Sequence, residues 1–316
     1  MLRSLRGWQC PDLLFFNPGV FVFTRLDHVT IAVPDLQQGI VQYTKMGFNV
    51  HAAGTHPGRG THNAVAFNTE DYLELLAIRD PLEYAASRGP GATDSSLAAF
   101  IAQGGGIRQI AVQSDNLAAD VAAMRGRGVD VGDVVEGGRR MPDGRELRWK
   151  IAVLGAKNPL PIFFIEHLTP LETRRTQVPG VRAHPNGVYK LERSYIVSND
   201  AEIEAALYAR VLGMEKPELH KGTVVMSHMA IFEIGPTGLG VVQPYAPGPA
   251  ADALERRGPG PFQALYRTTG MGAAARWMEE HGMPPPKRGI RSNGEHAMLA
   301  TPEYTCGAYI GFVGPE

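Results

Sequence analysis

The strongest constraint on this chain is a unit that it writes four times: a strand of alternating apolar and polar residues, a short helix closed by glycine, and three further strands. The first copy opens at Leu26 with LDHVTIAVPDLQQGIVQYTKMGF. Strand alternation gives way to helical spacing after Pro34, with Asp35 suited to cap the helix, Leu36, Ile40 and Tyr43 on one stripe, and Gly47 as a left-handed stop. Strand-like runs follow over 48–52, 63–68 and 72–78, with the loop HPGRGTH before the second. The order returns at Gly106: a strand IRQIAVQS, a cap at Ser114 or Asp115, Leu117, Val121 and Met124 on one helical face, and strands near 129–137, 145–153 and 160–167. A third copy starts at Tyr189 and carries Ile203, Leu207 and Val211 before Gly213. A fourth begins near Phe262, with Met271, Ala274 and Met278 before Gly282. A repeat of roughly 70 to 85 residues is too long for a solenoid unit, so each copy reads as a βαβββ module, and four modules make two pairs.

The expected fold class is therefore α+β, four βαβββ modules in two paired domains, one over 25–170 and the other over 187–316. The Pro- and Gly-punctuated stretch 171–186 reads as the linker between them, and 243–261 as a connector within the second pair. Residues 1–24 carry Arg3 and Arg6 before an apolar stretch, but Asn17-Pro18-Gly19 breaks it and no small-residue cleavage site follows. They are read as a leader or disordered extension. A chain of 316 residues, 44% hydrophobic, has apolar material for two ordinary cores. With 31 basic and 32 acidic residues it has no broad positive field, which argues against nucleic acid and membrane surfaces as partners. Cys10 and Cys306 are too few for a disulfide framework or a thiolate cage, so a cytoplasmic protein is expected. P-loop, dinucleotide fingerprint, nucleophile elbow and HExxH motifs are all missing, and the GGG at 104–106 precedes a strand and reads as a turn.

The strand opening LDHVTIAVPDL, the helix ending in Gly47-Phe48 and the fourth strand YLELLAI resemble the module of the vicinal-oxygen-chelate superfamily, which includes glyoxalase I, methylmalonyl-CoA epimerase, fosfomycin-resistance proteins and extradiol dioxygenases. HPGRGTHNA, MPDGRELRW and PIFFIEH further resemble its glyoxalase-like subgroup. The resemblance spans motifs over 26–167 and rests on module order over 187–316. It implies that paired modules form an incomplete barrel holding a metal from the first and fourth strands of each module. Carried over by position, the metal ligands are His28, Glu74, Gln109 and Glu166, with Glu74 or Glu166 as the proton-moving base.

Strand parity agrees for the first module: Val29, Ile31 and Val33 pack under the helix, while His28, Thr30 and Ala32 face the other way. The same parity opposes Gln109 to Ile110 and Val112, and Glu74 to Leu73 and Leu75. A carboxylate between apolar neighbours is costly to bury unless paired or metal-bound. Imidazole, amide and carboxylate donors suit divalent Fe, Mn, Co, Ni or Zn acting as a Lewis acid on vicinal oxygens. The implied activity is that of a lyase or isomerase working through an enediolate. Arg59 and His62 of the HPGRGTH loop, with Arg148 and Trp149, are candidate substrate contacts, and His167, next to Glu166, is expected on the other face.

The alternative is a metal-free cup of resistance or sequestration type, with Glu74 and Glu166 paired to arginines among Arg59, Arg139, Arg140, Arg145 and Arg148. In the second pair the same counting lands near Ser194 and Gln263, and the fourth strands LGVVQPY and AYIGFVG hold no acid. An extradiol or hydroxyphenylpyruvate-type dioxygenase is disfavoured on that ground. The expected partner is a small-molecule substrate, and the chain is a monomer or a homodimer.

Overall fold

The computed structural model describes residues 23–87, 97–141, 144–175 and 183–316. The expected leader over 1–24 lies almost wholly outside them. Module one is β1 (Phe23–Ala32), α1 (Leu36–Lys45), β2 (His51–His56), β3 (Thr61–Phe67) and β4 (Tyr72–Ile78). Two short helices follow, α2 (Pro81–Ser87) and α3 (Leu97–Ala102). Module two is β5 (Gly106–Ser114), α4 (Leu117–Gly126), β6 (Val135–Arg140), β7 (Glu146–Val153) and β8 (Ile162–His167), after which α5 (Leu171–Arg175) turns the chain. Module three is β9 (Val188–Val197), α6 (Ala201–Leu212), β10 (His220–Gly222), β11 (Ser227–Ile234) and β12 (Thr237–Pro244). The stretch read as a plain connector contains α7 (Pro249–Arg257), and module four is β13 (Gly260–Thr268), α8 (Met271–Glu280), β14 (Lys287–Ile290), β15 (His296–Ala300) and β16 (Tyr309–Val313).

Local chemistry sets the helix ends. The Asp35 carboxylate accepts from the Gln38 amide at 2.7 Å and Asp200 from Ile203 at 3.0 Å, while Gly47 and Gly213 take positive φ after α1 and α6. The cap of α4 is Asn116, accepting from Ala119 at 3.2 Å. Ser114, one of the expected caps, instead accepts from the Asn116 amide and donates to the buried Asp120.

Eight strands form each sheet, in the orders β2-β3-β4-β1-β5-β8-β7-β6 and β10-β11-β12-β9-β13-β16-β15-β14. Within a module the first strand runs parallel to the fourth, and two modules join by antiparallel pairing of their first strands, β1 with β5 and β9 with β13. The first sheet curls far enough that Arg139 of β6 donates to the Ala53 carbonyl of β2, across the gap between its edges. The architecture is two incomplete barrels, as the modular pattern requires.

The helix-covered faces of both sheets share one apolar core, in which Leu26, Tyr43, Phe48 and Phe164 lie with Tyr208, Phe232, Tyr266 and Phe312. Tyr43 donates to the Thr305 carbonyl at 3.0 Å, so even the polar end of this side chain bridges the sheets. The sheets also exchange a reciprocal pair of bonds. The Leu26 amide donates to Thr237 Oγ1 at 2.7 Å, and the Leu191 amide donates to Asp71 Oδ1 at 2.9 Å. Each of these amides directly precedes an irregularity: β1 has one residue more than β5 between Leu26 and His28, and β9 one more than β13 between Leu191 and Arg193. Asp27 and Glu192 are the extra, bulged residues. A bulge leaves a ladder position unpaired and re-aims the side chains beside it.

Candidate functional site

The first barrel encloses a cup of about 350 Å³, lined by alternate residues of its strands. From β1 come His28 and Thr30, from β3 Thr61 and Asn63, from β4 Tyr72 and Glu74, and from β5 Gln109. Three of the four side chains expected as ligands, His28, Glu74 and Gln109, thus meet in one cup. Glu74 is fixed there by two donors, Thr30 Oγ1 at 2.9 Å and Asn63 Nδ2 at 2.6 Å.

The bulge puts Asp27 and His28 consecutively on the side away from the helices. Asp27 is fully buried and accepts from two imidazoles, His28 Nδ1 at 2.7 Å and His167 Nε2 at 2.9 Å, with the Arg174 guanidinium 3.9 Å away. Burial pushes the Asp27 carboxyl up, but His167 and then His28 outweigh it and hold the group well below the usual carboxylate range. The ionised Asp27 accepts a hydrogen bond from His28 Nδ1–H, the tautomer that leaves the lone pair on Nε2, 3.7 Å from Glu74 Oε2. The His28 ring is also stacked on Tyr72 and meets Phe163 edge-on, at centroid distances of 4.3 and 5.5 Å.

Glu166 is not in the cup. On β8 the side chains of Phe163, Ile165 and His167 line it, and Glu166 points to the helix side, where it accepts from the Leu117 amide of α4 and from Lys150, both at 2.9 Å. Burial raises its pKa, and those two donors lower it further than burial raises it. The expected faces of Glu166 and His167 are therefore exchanged. Register explains why: Glu74 pairs with Thr30, two residues after His28, and the corresponding pairing in module two sets Ala111, two after Gln109, beside Phe163. Phe163, not Glu166, occupies the position equivalent to Glu74.

Of the expected substrate contacts, Arg59 and Trp149 line the cup. Trp149 lies over Gly137, where a Cβ would stand 2.5 Å from the indole Nε1. Arg148 has the opposite parity on β7 and pairs with exposed Glu136 at 2.6 Å, and His62 likewise faces away, toward Asp35 and Arg79. The loop histidine that does line the cup is His56, which is bonded to Thr61 Oγ1 at 2.9 Å. Its pKa is lowered by burial, against the pull of the Glu74 charge. The sequence reading also missed Asp27, although it stands in the LDH motif, and Arg174, which α5 carries from the supposed linker into the cup. Arg174 is buried and its Nε has no hydrogen-bond partner.

The donors do not fit the metal site that the resemblance implies. Its fourth position is a phenyl ring, its third an amide, and both Glu74 oxygens already accept hydrogen bonds. Among the described residues no three His, Cys, Asp or Glu side chains converge as a metal-holding group. The cup presents instead three guanidinium groups, of Arg59, Arg139 and Arg174, around the carboxylate of Glu74 and the buried Asp27. Burial lowers the Arg139 pKa, while Tyr72 and Glu74 oppose that shift.

Comparison with known proteins agrees with the fold. The model of the glyoxalase-like domain family matches residues 26–212, from β1 through α6. A hypothetical protein from Staphylococcus aureus superposes with a TM-score of 0.64 at 12% identity, over 91% of this chain and 98% of the other. A substituted 4-hydroxymandelate synthase from Streptomyces coelicolor does so with a TM-score of 0.61 at 12% identity, over 93% and 94%. A xylose isomerase-like TIM barrel/4-hydroxyphenylpyruvate dioxygenase fusion gives 0.58 at 11% identity, over 97% of this chain and 51% of its own. At these identities the likeness is one of fold. A search of curated protein sequences found no match. Among the described residues, no helix is long and apolar enough to cross a membrane.

Proposed function

From the premise that this chain belongs to the glyoxalase-like domain family, we propose that its first cup binds a small organic anion and moves a proton on it, as an isomerase or lyase acting without a metal. The observation that carries this reading is the line Asp27–His28–Glu74, with 2.7 Å between Asp27 and His28 and 3.7 Å between His28 and Glu74. His28 Nε2 and a Glu74 oxygen stand side by side, 3.7 Å apart, on adjacent strands, so a proton-bearing substrate atom resting above the pair meets both acceptors from one face. His28 takes a proton from carbon next to a carbonyl or carboxylate. The electron pair moves onto oxygen, where the guanidiniums of the cup stabilise the enolate. The proton then returns to a different position or face, or a leaving group departs with the electron pair. Asp27 keeps the tautomer that the first step needs and offsets the charge of the imidazolium formed.

The test is exchange in D2O. The protein is incubated with aliphatic and aryl 2-oxo and 2-hydroxy carboxylates, and loss of the C–H signal is followed by proton NMR, with and without chelator. Exchange that survives chelation and is lost in His28→Ala supports the proposal. Binding without exchange favours a sequestration protein. Exchange that chelator abolishes and added metal restores overturns the metal-free mechanism.

A further inference from the structure

The second barrel has a cup of its own, about 310 Å³. Module order and the two bulges align its floor with that of the first. Asp27 corresponds to Glu192 and His28 to Arg193. Ser194, the position reached by counting, is instead fully buried and donates to the Gln263 carbonyl. Tyr195, two residues after Arg193, pairs with Gly240 as Thr30 pairs with Glu74, and Leu265 pairs with Gly311 as Ala111 pairs with Phe163. Gln263 corresponds to Gln109. The imidazole of the first floor is thus a guanidinium here, and the carboxylate and the phenyl ring are glycines.

Both glycines have a local reason. A Cβ at Gly240 would stand 2.5 Å from the Tyr195 ring, and one at Gly311 would stand 2.7 Å from Leu265 and 2.8 Å from the Gln263 amide. Their absence lets those side chains lie across the sheet. The result is a cup with apolar wall at Tyr195, Ile231 and Met298 that also holds polar groups in want of partners. Gln263 is 2% exposed and its Oε1 has no hydrogen-bond partner. Arg193 Nε is buried and unpartnered as well, while its Nη2 reaches exposed Glu233 at 2.5 Å. Behind the floor, Arg267 holds Glu192 and Glu295 at 2.9 Å, and Arg291 adds its charge at the cup wall. A buried donor or acceptor left unpaired is costly, and a complementary ligand relieves that cost.

We propose that the second cup is a binding site for a small carboxylic acid with an apolar body. Its carboxylate takes the Arg193 Nε–H, and a hydroxyl or amine beside the carboxylate donates to Gln263 Oε1. The floor of this cup lacks the imidazole and the carboxylate that the first floor offers for proton transfer, so the role assigned to it is binding. It is independent of the chemistry proposed for the first cup.

The probes are 3-phenylpropionate, its primary amide and its 2-hydroxy analogue, soaked into crystals of the whole protein and titrated by NMR in solution. The acid is expected in the second cup with its carboxylate on Arg193, the amide is expected not to bind there, and the 2-hydroxy acid binds more tightly. Arg193→Met should weaken the acid about tenfold or more at that site, whereas Arg59→Met in the first cup leaves it unchanged. Gln263→Leu should keep the acid and abolish the gain from the hydroxyl, so the proposal stays testable if Arg193→Met folds poorly. Equal binding of acid and amide, no effect of either second-cup substitution, or density for the acid in the first cup alone overturns it.

Discussion

Asp27 holds two imidazoles with one carboxylate, His28 through Oδ2 and His167 through Oδ1. Asp27→Asn keeps the shape but can no longer accept at both oxygens. His28 then populates both neutral tautomers, visible in the nitrogen chemical shifts of its ring. Proton exchange should fall about 10²- to 10⁴-fold with little change in substrate binding. An unchanged tautomer would show that Asp27 does not set it.

Glu74 and Glu166 are separable by mutation because they lie on opposite faces of the sheet. Glu74→Gln should lower exchange about 10²-fold or more. Glu166→Gln removes the carboxylate at the start of α4 and its bond to Lys150, costing about 0.5–1 kcal/mol in denaturant unfolding and leaving exchange intact. The reverse pattern would restore Glu166 to the site.

Phe163 occupies the fourth-strand position that Glu74 occupies in module one. Phe163→His puts a third strong donor on the wall of the cup. Elemental analysis after purification without chelator should find more zinc or nickel in this variant than in the wild type, along with a metal-dependent rise in melting temperature. Stoichiometric metal already present in the wild type would overturn the reading of the donor set.

His184 joins the region between the sheets to module one, accepting from the Asn49 amide and bonding Asn68 Oδ1, both at 3.0 Å. Burial, reinforced by the nearby His51, pulls its pKa down to about 4. The unfolded chain therefore binds a proton between pH 6.5 and 4 that the native state refuses, and stability falls as pH drops through that window, by about 3 kcal/mol in total. Asp71, raised to about 7 by burial, acts in the opposite sense over a similar range. The informative quantity is thus the difference in unfolding free energy between wild type and His184→Gln. Wild type should lose its advantage progressively on acidification, and a constant difference would contradict the assignment.

The modules, their pairing and the three side chains on β1, β4 and β5 were legible because strand parity and helix stops are local signals. Glu166 was misread because identity of motif stood in for register. FFIEH looks like YLELL, but the loops between α4 and β8 have their own lengths, and only the Ala111 to Phe163 pairing fixes which residues face inward. The exchange of Arg193 for Ser194 is one of frame: α6 opens at Ala201, eight residues after Arg193 as Leu36 is eight after His28, and a count from the larger apolar residue Ile203 overshoots. Arg174 was hidden because a segment punctuated by proline and glycine was taken to be chemically idle. Asp27 was in plain view, but in an unbulged strand it would have pointed at the helices.

The crossed bonds from Leu26 to Thr237 and from Leu191 to Asp71 mean that each barrel completes the backbone of the other at the residue just before its floor. A shortened protein ending just after α5, near residue 175, would keep every side chain of the first cup and still lack the group that satisfies Leu26, the anchor from which Asp27 and His28 are aimed. Neither half is then a spare part: the geometry of one cup is a property of the undivided chain, and a ligand that steadies either floor steadies both.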